Sequence, residues 1–375
     1  MRRTNMRQLL IRPQLYKYDK CADFASEFNI GRGDLIITNE YIFQPFFGAL
    51  SLEADVLYQE RYGSGEPSDE MAEAIYADIK RDHKRVIAIG GGTVIDLAKL
   101  FSLKNVLPVL DLFDKKLEIK RDKELVIIPT TCGTGSEVTN ISILELKSRQ
   151  TKLGLAVDDL FADSAVMIPE LLTSLPYHFF ATSSIDALIH ATESCVSPKT
   201  TQYTKMFGYK AIEMIIQGYQ DIAEYGKDAR FHRLEEFLIA SNFAGISFAN
   251  AGTGTVHAMS YPLSGKYHVA HGEANYALFI RIFNEYFSIS AEGAIAELNK
   301  LLAGLMGCES DSVYNALAML LGEILPLKRL GEYGMTVADI GDFTANVMEK
   351  QGRLTVNNFV PLDAARIAGI YKDLL

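Results

Sequence analysis

Residues 85–99 read RVIAIGGGTVIDLAK, and this stretch decides the fold of the first half of the chain. Arg85–Ile89 is a strand-length apolar run with no alternating polar face, as expected of a strand covered on both sides. It ends in Gly90-Gly91-Gly92, and helical spacing begins at Thr93. Three glycines let a backbone approach a ligand closely, and a helix N-terminus offers unpaired N–H groups at its positive end. That order suits a pyrophosphate. The plainer alternative is tight packing of strand on helix, and the spacing is not the GxGxxG of the ordinary Rossmann fingerprint. Thr93 and Asp96 have the spacing of a capping box, which would give Asp96 a structural role.

The same texture extends outward on both sides. Leu35–Thr38, Val56–Gln59, Leu107–Leu110, Leu125–Ile128 and Ala165–Ile168 read as further strands, with helices at Ser68–Asp82 and Thr93–Phe101 between them. Strands alternating with helices imply a parallel sheet with crossover connections. A second loop, PTTCGTGSEVT, follows the strand at Leu125–Ile128 and crowds Thr130, Thr131, Gly133, Thr134, Gly135 and Ser136 together. Hydroxyls and glycine N–H groups at a strand's carboxyl end line the crevice where such sheets bind ligands. A solvated surface loop is the alternative.

After Pro176 the texture becomes helical. Ile185–Val196, Lys205–Tyr225, Leu234–Ala249, Ala274–Phe287, Ala291–Leu305, Val313–Leu325 and Val337–Lys350 have helical spacing, joined by short Gly-, Pro- and Ser-rich breaks. The expected organisation is an α/β domain over residues 1–176 and an all-α domain over 177–375. At 375 residues and 48% hydrophobic composition, two cores are the expected number. The net charge of −10 argues against nucleic acid or an anionic membrane as partner. Four scattered cysteines without a CxxC read as thiols of a reducing compartment, and the N-terminal stretch has no apolar signal region. A cytoplasmic protein is expected.

Six of the seven histidines fall between His178 and His271. In SSIDALIHATES, Asp186 and His190 are four residues apart and share one helix face, with Ser183 or Ser184 as candidate caps. His257 and His271 follow downstream. One carboxylate and three imidazoles can hold a divalent metal of the Fe or Zn class and leave a position open for a substrate oxygen. His83 and His232 read as solvated.

These residues resemble the iron-containing (group III) alcohol dehydrogenase family. GGGTVIDLAK is similar to its GGGSxxDxAK, PTTCGTGSEVT to its PTTAGTGSEVT, and SSIDALIHATES to its DALxHxxE segment. FAGISFANAGTGTVHAMSYPLSG and HVAHGEAN resemble its two histidine blocks, and the order is the family's from about residue 30 to 280. The resemblance implies a Rossmann-like N-terminal domain, a helical C-terminal domain, NAD(P) in the cleft between them, and a homodimer or larger homo-oligomer. It puts the metal ligands on Asp186, His190, His257 and His271. It puts cofactor contacts on Gly90, Gly91, Gly92, Thr93, Thr130, Thr131, Thr134, Ser136 and Lys152, with Leu171 near the adenine. Iron is the implied metal, with zinc the alternative.

Three departures stand out. Where the family has an Asp after the second strand, favouring NAD, this chain has Asn39, so NADP use becomes possible. The family's further histidine, four residues after the third ligand, is Tyr261 here. Its Asp-Pro at the end of the first domain reads Ile168-Pro169. Within the family, residues 257–276 are most similar to the branch that interconverts 4-hydroxybutyrate and succinate semialdehyde. For such a substrate, Lys266 is the expected cation for the carboxylate, with Tyr261 and His268 as hydrogen-bond or proton-relay groups. The alternatives are a dehydrogenase for a neutral short-chain alcohol or diol, a dehydroquinate synthase-like lyase, and a non-enzymatic NAD- or metal-binding module.

Overall fold

The protein is described by a computed structural model, in which residues 7–149 and 151–375 are described. It divides into two compact units. One is Ile11–Pro176. The other joins Tyr177–Leu375 to the described residues up to Leu10, so the short segment before Ile11 belongs with the helical unit rather than with the α/β unit.

Among its described residues the first unit carries eight strands: β1 (Gln14–Lys17), β2 (Asp34–Thr38), β3 (Asp55–Tyr58), β4 (Arg85–Gly90), β5 (Glu124–Pro129), β6 (Ile141–Leu146), β7 (Thr151–Ala156) and β8 (Ser164–Met167). Six form one parallel sheet in the order β1-β8-β5-β4-β2-β3, and β6 and β7 pair antiparallel beside it. Val86, Ile87, Ala88 and Ile89 of β4 are all fully buried, the condition their unbroken apolar run foretells. Its helices are α1 (Cys21–Glu27), α2 (Glu40–Phe47), α3 (Asp69–Ala77), α4 (Gly92–Phe101) and α5 (Val109–Phe113). Ile89 is in register with Thr38 on one side and Ile128 on the other, and Gly90 with Pro129. Asn39, the glycine turn and the Thr130 loop therefore leave neighbouring strands at the same sheet edge, the carboxyl edge where such sheets bind ligands.

Several local expectations are corrected here. Leu107–Leu110 is not a strand. Val109 and Leu112 are buried three residues apart on α5, which starts after Pro108, and the Val109 N–H is taken by Glu73 Oε1 at 3.0 Å. The helix expected over Ser68–Asp82 is shorter, with Ser68 as its N-cap accepting from Met71 N at 3.1 Å. His83 is buried, not solvated: its Nε2 lies 2.8 Å from Asp55 Oδ2. Strands β1, β6 and β7 were not expected.

The second unit is built from α6 (Tyr177–Val196), α7 (Gln202–Tyr225), α8 (Leu234–Ala251), α9 (Thr255–Tyr267), α10 (His271–Ile289), α11 (Ala294–Met306), α12 (Val313–Ile324), α13 (Asp339–Lys350), α14 (Gly352–Thr355) and α15 (Ala364–Leu374). From Ser184 to Val196 every residue of α6 is buried, so this is a central helix wrapped by others. Ser183 and Ser184 are not its caps. They lie inside the helix and donate to Phe180 O and Ala181 O. Helix α9 escapes a reading by period because Thr255–Ser260 are buried on all sides, leaving no polar face to set a rhythm. No helix of the described residues is long and apolar enough to cross a membrane.

Candidate functional site

In the helical unit, Asp186 and His190 sit one turn apart on α6, His257 near the start of α9, and His271 at the first residue of α10. One ligand-type atom from each lies within 4.8 Å of all the others. Asp186 Oδ1 is 4.0 Å from His257 Nε2 and 3.9 Å from His271 Nε2, and Asp186 Oδ2 is 3.8 Å from His190 Nδ1. His190 is stacked between His257 and Phe248, with ring centroids 4.7 and 4.4 Å away. Three helices must come together to make this cluster. Gly272 permits it, because a Cβ there would meet Thr182 O at 2.5 Å, where α10 packs on α6.

The donor set fits a divalent cation. Asn275 turns its Nδ2 toward Asp186 Oδ1 (2.7 Å), His257 Nε2 (3.2 Å) and His271 Nε2 (3.1 Å). An amide nitrogen has two hydrogens and cannot serve three acceptors. The Oδ1 of Asn275 is itself buried without a hydrogen-bond partner. Lone pairs that converge in a buried spot with too few protons are costly alone and suit one shared cation. Burial pushes the Asp186 carboxyl upward, but the imidazoles of His190, His271 and His257 outweigh it and hold the group below its ordinary value. It is a carboxylate, as a ligand must be.

Glu193 belongs to the site although the sequence reading gave it no role. Its Oε2 accepts from His257 Nδ1 at 2.6 Å and its Oε1 from Val256 N at 2.7 Å. A carboxylate on Nδ1 places the ring proton there and leaves Nε2 bare for a metal. The signal was present, since Glu193 is seven residues after Asp186 and so returns to the same face of α6.

Of the three candidate substrate residues, Tyr261 is the one on the ligand face. It is one turn beyond His257, and its ring centroid is 6.1 Å from that of His271. Lys266 is corrected. Nine residues past His257 it points about 180° away around α9, and its ammonium pairs with Asp339 on α13, which also accepts from Tyr267 at 2.7 Å. His268 ends α9 in a left-handed conformation at φ 54° and is exposed.

In the α/β unit the two loops meet. A Cβ on Gly91 would come 3.5 Å from Thr131 Cγ2, and one on Gly92 would come 3.2 Å from Thr134 Cγ2. The bare backbone of the glycine turn therefore packs against the methyl groups of Thr131 and Thr134, with each hydroxyl oxygen 3.9 Å from the same point, so the two loops lie in close contact. Gly90 has a different task, because a Cβ there would strike Val94 at 2.5 Å. Thr130 N bonds Gly90 O at 3.1 Å, and Thr93 Oγ1 donates to Gly65 O at 3.1 Å. Lys152 lies 3.6 Å from Glu66, and Leu171 is fully buried.

Two expected roles change here. Ser136 Oγ donates to Asp96 Oδ1 at 2.8 Å and accepts from Lys99 Nζ at 2.7 Å, so its hydroxyl holds the scaffold rather than a ligand. Asp96 is not a capping residue: its other oxygen accepts from Ile143 N at 2.9 Å, and Gly91 is the helix cap. Asn39 is as the sequence placed it, at the end of β2. Its Nδ2 donates to Gln59 Oε1 (3.2 Å) and Glu60 Oε2 (2.9 Å).

Known proteins agree with this arrangement. The chain is 50% identical over 370 residues to the 4-hydroxybutyrate dehydrogenase of Clostridium kluyveri, covering 98% of this chain and all of that one. It is 34% identical over 297 residues to long-chain-alcohol dehydrogenase 1 of Geobacillus thermodenitrificans, covering 76% and 74% of the two chains. A crystal structure of 1,3-propanediol oxidoreductase superposes with a TM-score of 0.85 at 20% identity, covering 99% and 100%. Sulfoacetaldehyde reductase from Bifidobacterium kashiwanohense in complex with NAD+ superposes with a TM-score of 0.85 at 22% identity, covering 99% of each chain. The family models for iron-containing alcohol dehydrogenase and for the C-terminal part of the Fe-containing alcohol dehydrogenase family match residues 15–169 and 180–375. The chain belongs to the iron-containing alcohol dehydrogenase family, oxidoreductases that act on CH–OH groups with NAD and Fe2+.

Proposed function

We propose that the protein interconverts 4-hydroxybutyrate and succinate semialdehyde, using NAD. The observation that carries this reading is the 50% identity, over essentially the whole of both chains, with the Clostridium kluyveri 4-hydroxybutyrate dehydrogenase. When bound, a divalent metal held by Asp186, His190, His257 and His271 supplies Lewis acidity toward an alcohol oxygen, and NAD+ supplies the hydride acceptor.

The rest is done by the chain's own residues. Glu193 keeps His257 in one tautomer. Gly91, Gly92, Thr131 and Thr134 form the cradle for the dinucleotide's phosphates. Tyr261 offers a phenol beside His271, where it can hydrogen-bond the substrate or pass the hydroxyl proton toward the exposed His268. Lys266, engaged by Asp339, takes no part. The two expected domains, 1–176 and 177–375, carry the dinucleotide and the metal respectively.

The test is to compare kcat/KM for succinate semialdehyde and butyraldehyde, following NADH consumption by the iron-loaded protein. At least a tenfold preference for the acid, about 1.4 kcal/mol, is expected. Equal values would sink the acid substrate and leave a neutral short-chain alcohol. The same reading has the protein acting in the cytoplasm as a homodimer or larger assembly, which light scattering coupled to size exclusion checks. Its support for a reducing compartment is that the four cysteines are scattered along the sequence without a CxxC.

A further inference from the structure

In this family's pattern an acidic residue after the second strand selects NAD, and this chain has an amide there, Asn39. A carboxylate nonetheless lies against that amide. Strands β2 and β3 are parallel neighbours with Thr38 in register with Tyr58, so the residues that follow them leave the sheet side by side. Glu60, two residues beyond β3, accepts from Asn39 Nδ2 through Oε2 at 2.9 Å and from Glu40 N, the first residue of α2, through Oε1 at 2.7 Å. Gln59 Oε1 takes the second Asn39 amide hydrogen at 3.2 Å. With both amide hydrogens committed, Asn39 has only its carbonyl oxygen to offer.

An acceptor backed by a carboxylate matches a ribose 2′-hydroxyl, which can donate, and repels a 2′-phosphate, which at neutral pH carries only acceptors and close to two negative charges. Arg61, the residue after Glu60, is tied to Glu40 Oε2 at 3.2 Å and lies over the Tyr58 ring.

We propose that Glu60 is the residue that selects NAD over NADP, acting through Asn39, whose amide it orients and to which it lends the charge an aspartate would have carried. This rests on the NAD-linked reading of the α/β unit.

The test is direct binding rather than turnover. NADH and NADPH are titrated into the wild type, Glu60→Gln and Glu60→Asp, and dissociation constants are read from nicotinamide fluorescence. The quantity compared is the ratio of the NADPH to the NADH constant, which a general loss of structure would not shift in one direction. The wild-type ratio is expected to exceed tenfold and to shrink in 0.5 M salt, because the discrimination is partly coulombic. Glu60→Gln is expected to lower the ratio at least tenfold, chiefly by tighter NADPH binding. Glu60→Asp, which keeps the charge, is expected to preserve most of it. An unchanged ratio in Glu60→Gln overturns the proposal while leaving the dinucleotide site intact. So does a wild type that binds the two alike. Binding of neither overturns the dinucleotide reading and this proposal with it.

Discussion

Glu193 shows how far a single side chain can act without touching the reacting atoms. It is buried, and it spends one oxygen on His257 Nδ1 and the other on the Val256 N–H. Both the ring's tautomer and the start of α9 are thereby fixed by one carboxylate. Glu193→Gln keeps the volume and one acceptor, but can turn an N–H toward Nδ1. That favours the tautomer with its proton on Nε2, the atom a metal needs. The expected result is a ten- to hundredfold weaker affinity for Fe2+ or Zn2+, the usual size of such losses around histidine ligands. Competition with a chromophoric chelator measures it without any assay of turnover. An affinity within twofold of wild type would show that Glu193 merely fills space.

At the level of elements, α4 does more than begin beside a glycine turn. Lys99, wholly buried, donates to Ser136 Oγ (2.7 Å), Thr139 Oγ1 (2.9 Å) and Ile141 O (2.7 Å), and lies 3.7 Å from Asp96. The helix that follows the first loop is thus bolted to the second loop and to β6. Burial pulls the Lys99 pKa down to about 8, and the charges of Asp96 and Glu137 keep it from falling further, so at neutral pH the ammonium persists and meets three acceptors. Lys99→Met would leave those acceptors and Asp96 buried without their cation, at a cost of roughly 3–5 kcal/mol by denaturant unfolding. The pH dependence has a definite sign. Between about 8 and 10.5 the folded Lys99 has lost its proton while the unfolded one has not, so its contribution to stability rises with pH across that window. Unfolding at pH 7.5 and 9 should show this rise in the wild type and not in Lys99→Met. None of this network was legible in sequence. Helix α4 and the loops were, because a buried strand, a glycine turn and a helix are local patterns. The partner of a buried lysine 37 residues away is not local. The same division explains the substrate residues. Asp186 and His190 share a helix face that spacing alone reveals. Lys266 lies between two ligands in sequence, but proximity in sequence says nothing of the helical phase that turns it toward Asp339.

For the whole molecule, the division into two compact units separates two binding tasks that the sequence sets one after the other with no long linker. The metal ligands and the Glu193 relay lie between residues 186 and 271, inside the unit that begins at Tyr177, and the loop residues lie in the unit that ends at Pro176. The metal cluster draws on α6, α9 and α10, so a bound ion ties three helices together. A ligand that binds the folded state alone stabilises it in proportion to the logarithm of its concentration relative to its dissociation constant, by about 4 kcal/mol at a thousand times that constant. Removing the metal by dialysis against a strong chelator should therefore lower the thermal midpoint by several degrees, and restoring Fe2+ or Zn2+ should return it. His257→Ala, which deletes a ligand, should show the lower midpoint with or without added metal. The dinucleotide cradle contains none of these ligands, so NADH fluorescence titrations of the metal-free protein should give a dissociation constant within about threefold of the metal-loaded value, a difference of at most ~0.7 kcal/mol. A midpoint indifferent to the chelator would mean that the four donors do not hold the ion. A collapse of NADH binding on metal removal would mean that the two tasks are not separable as the two units suggest.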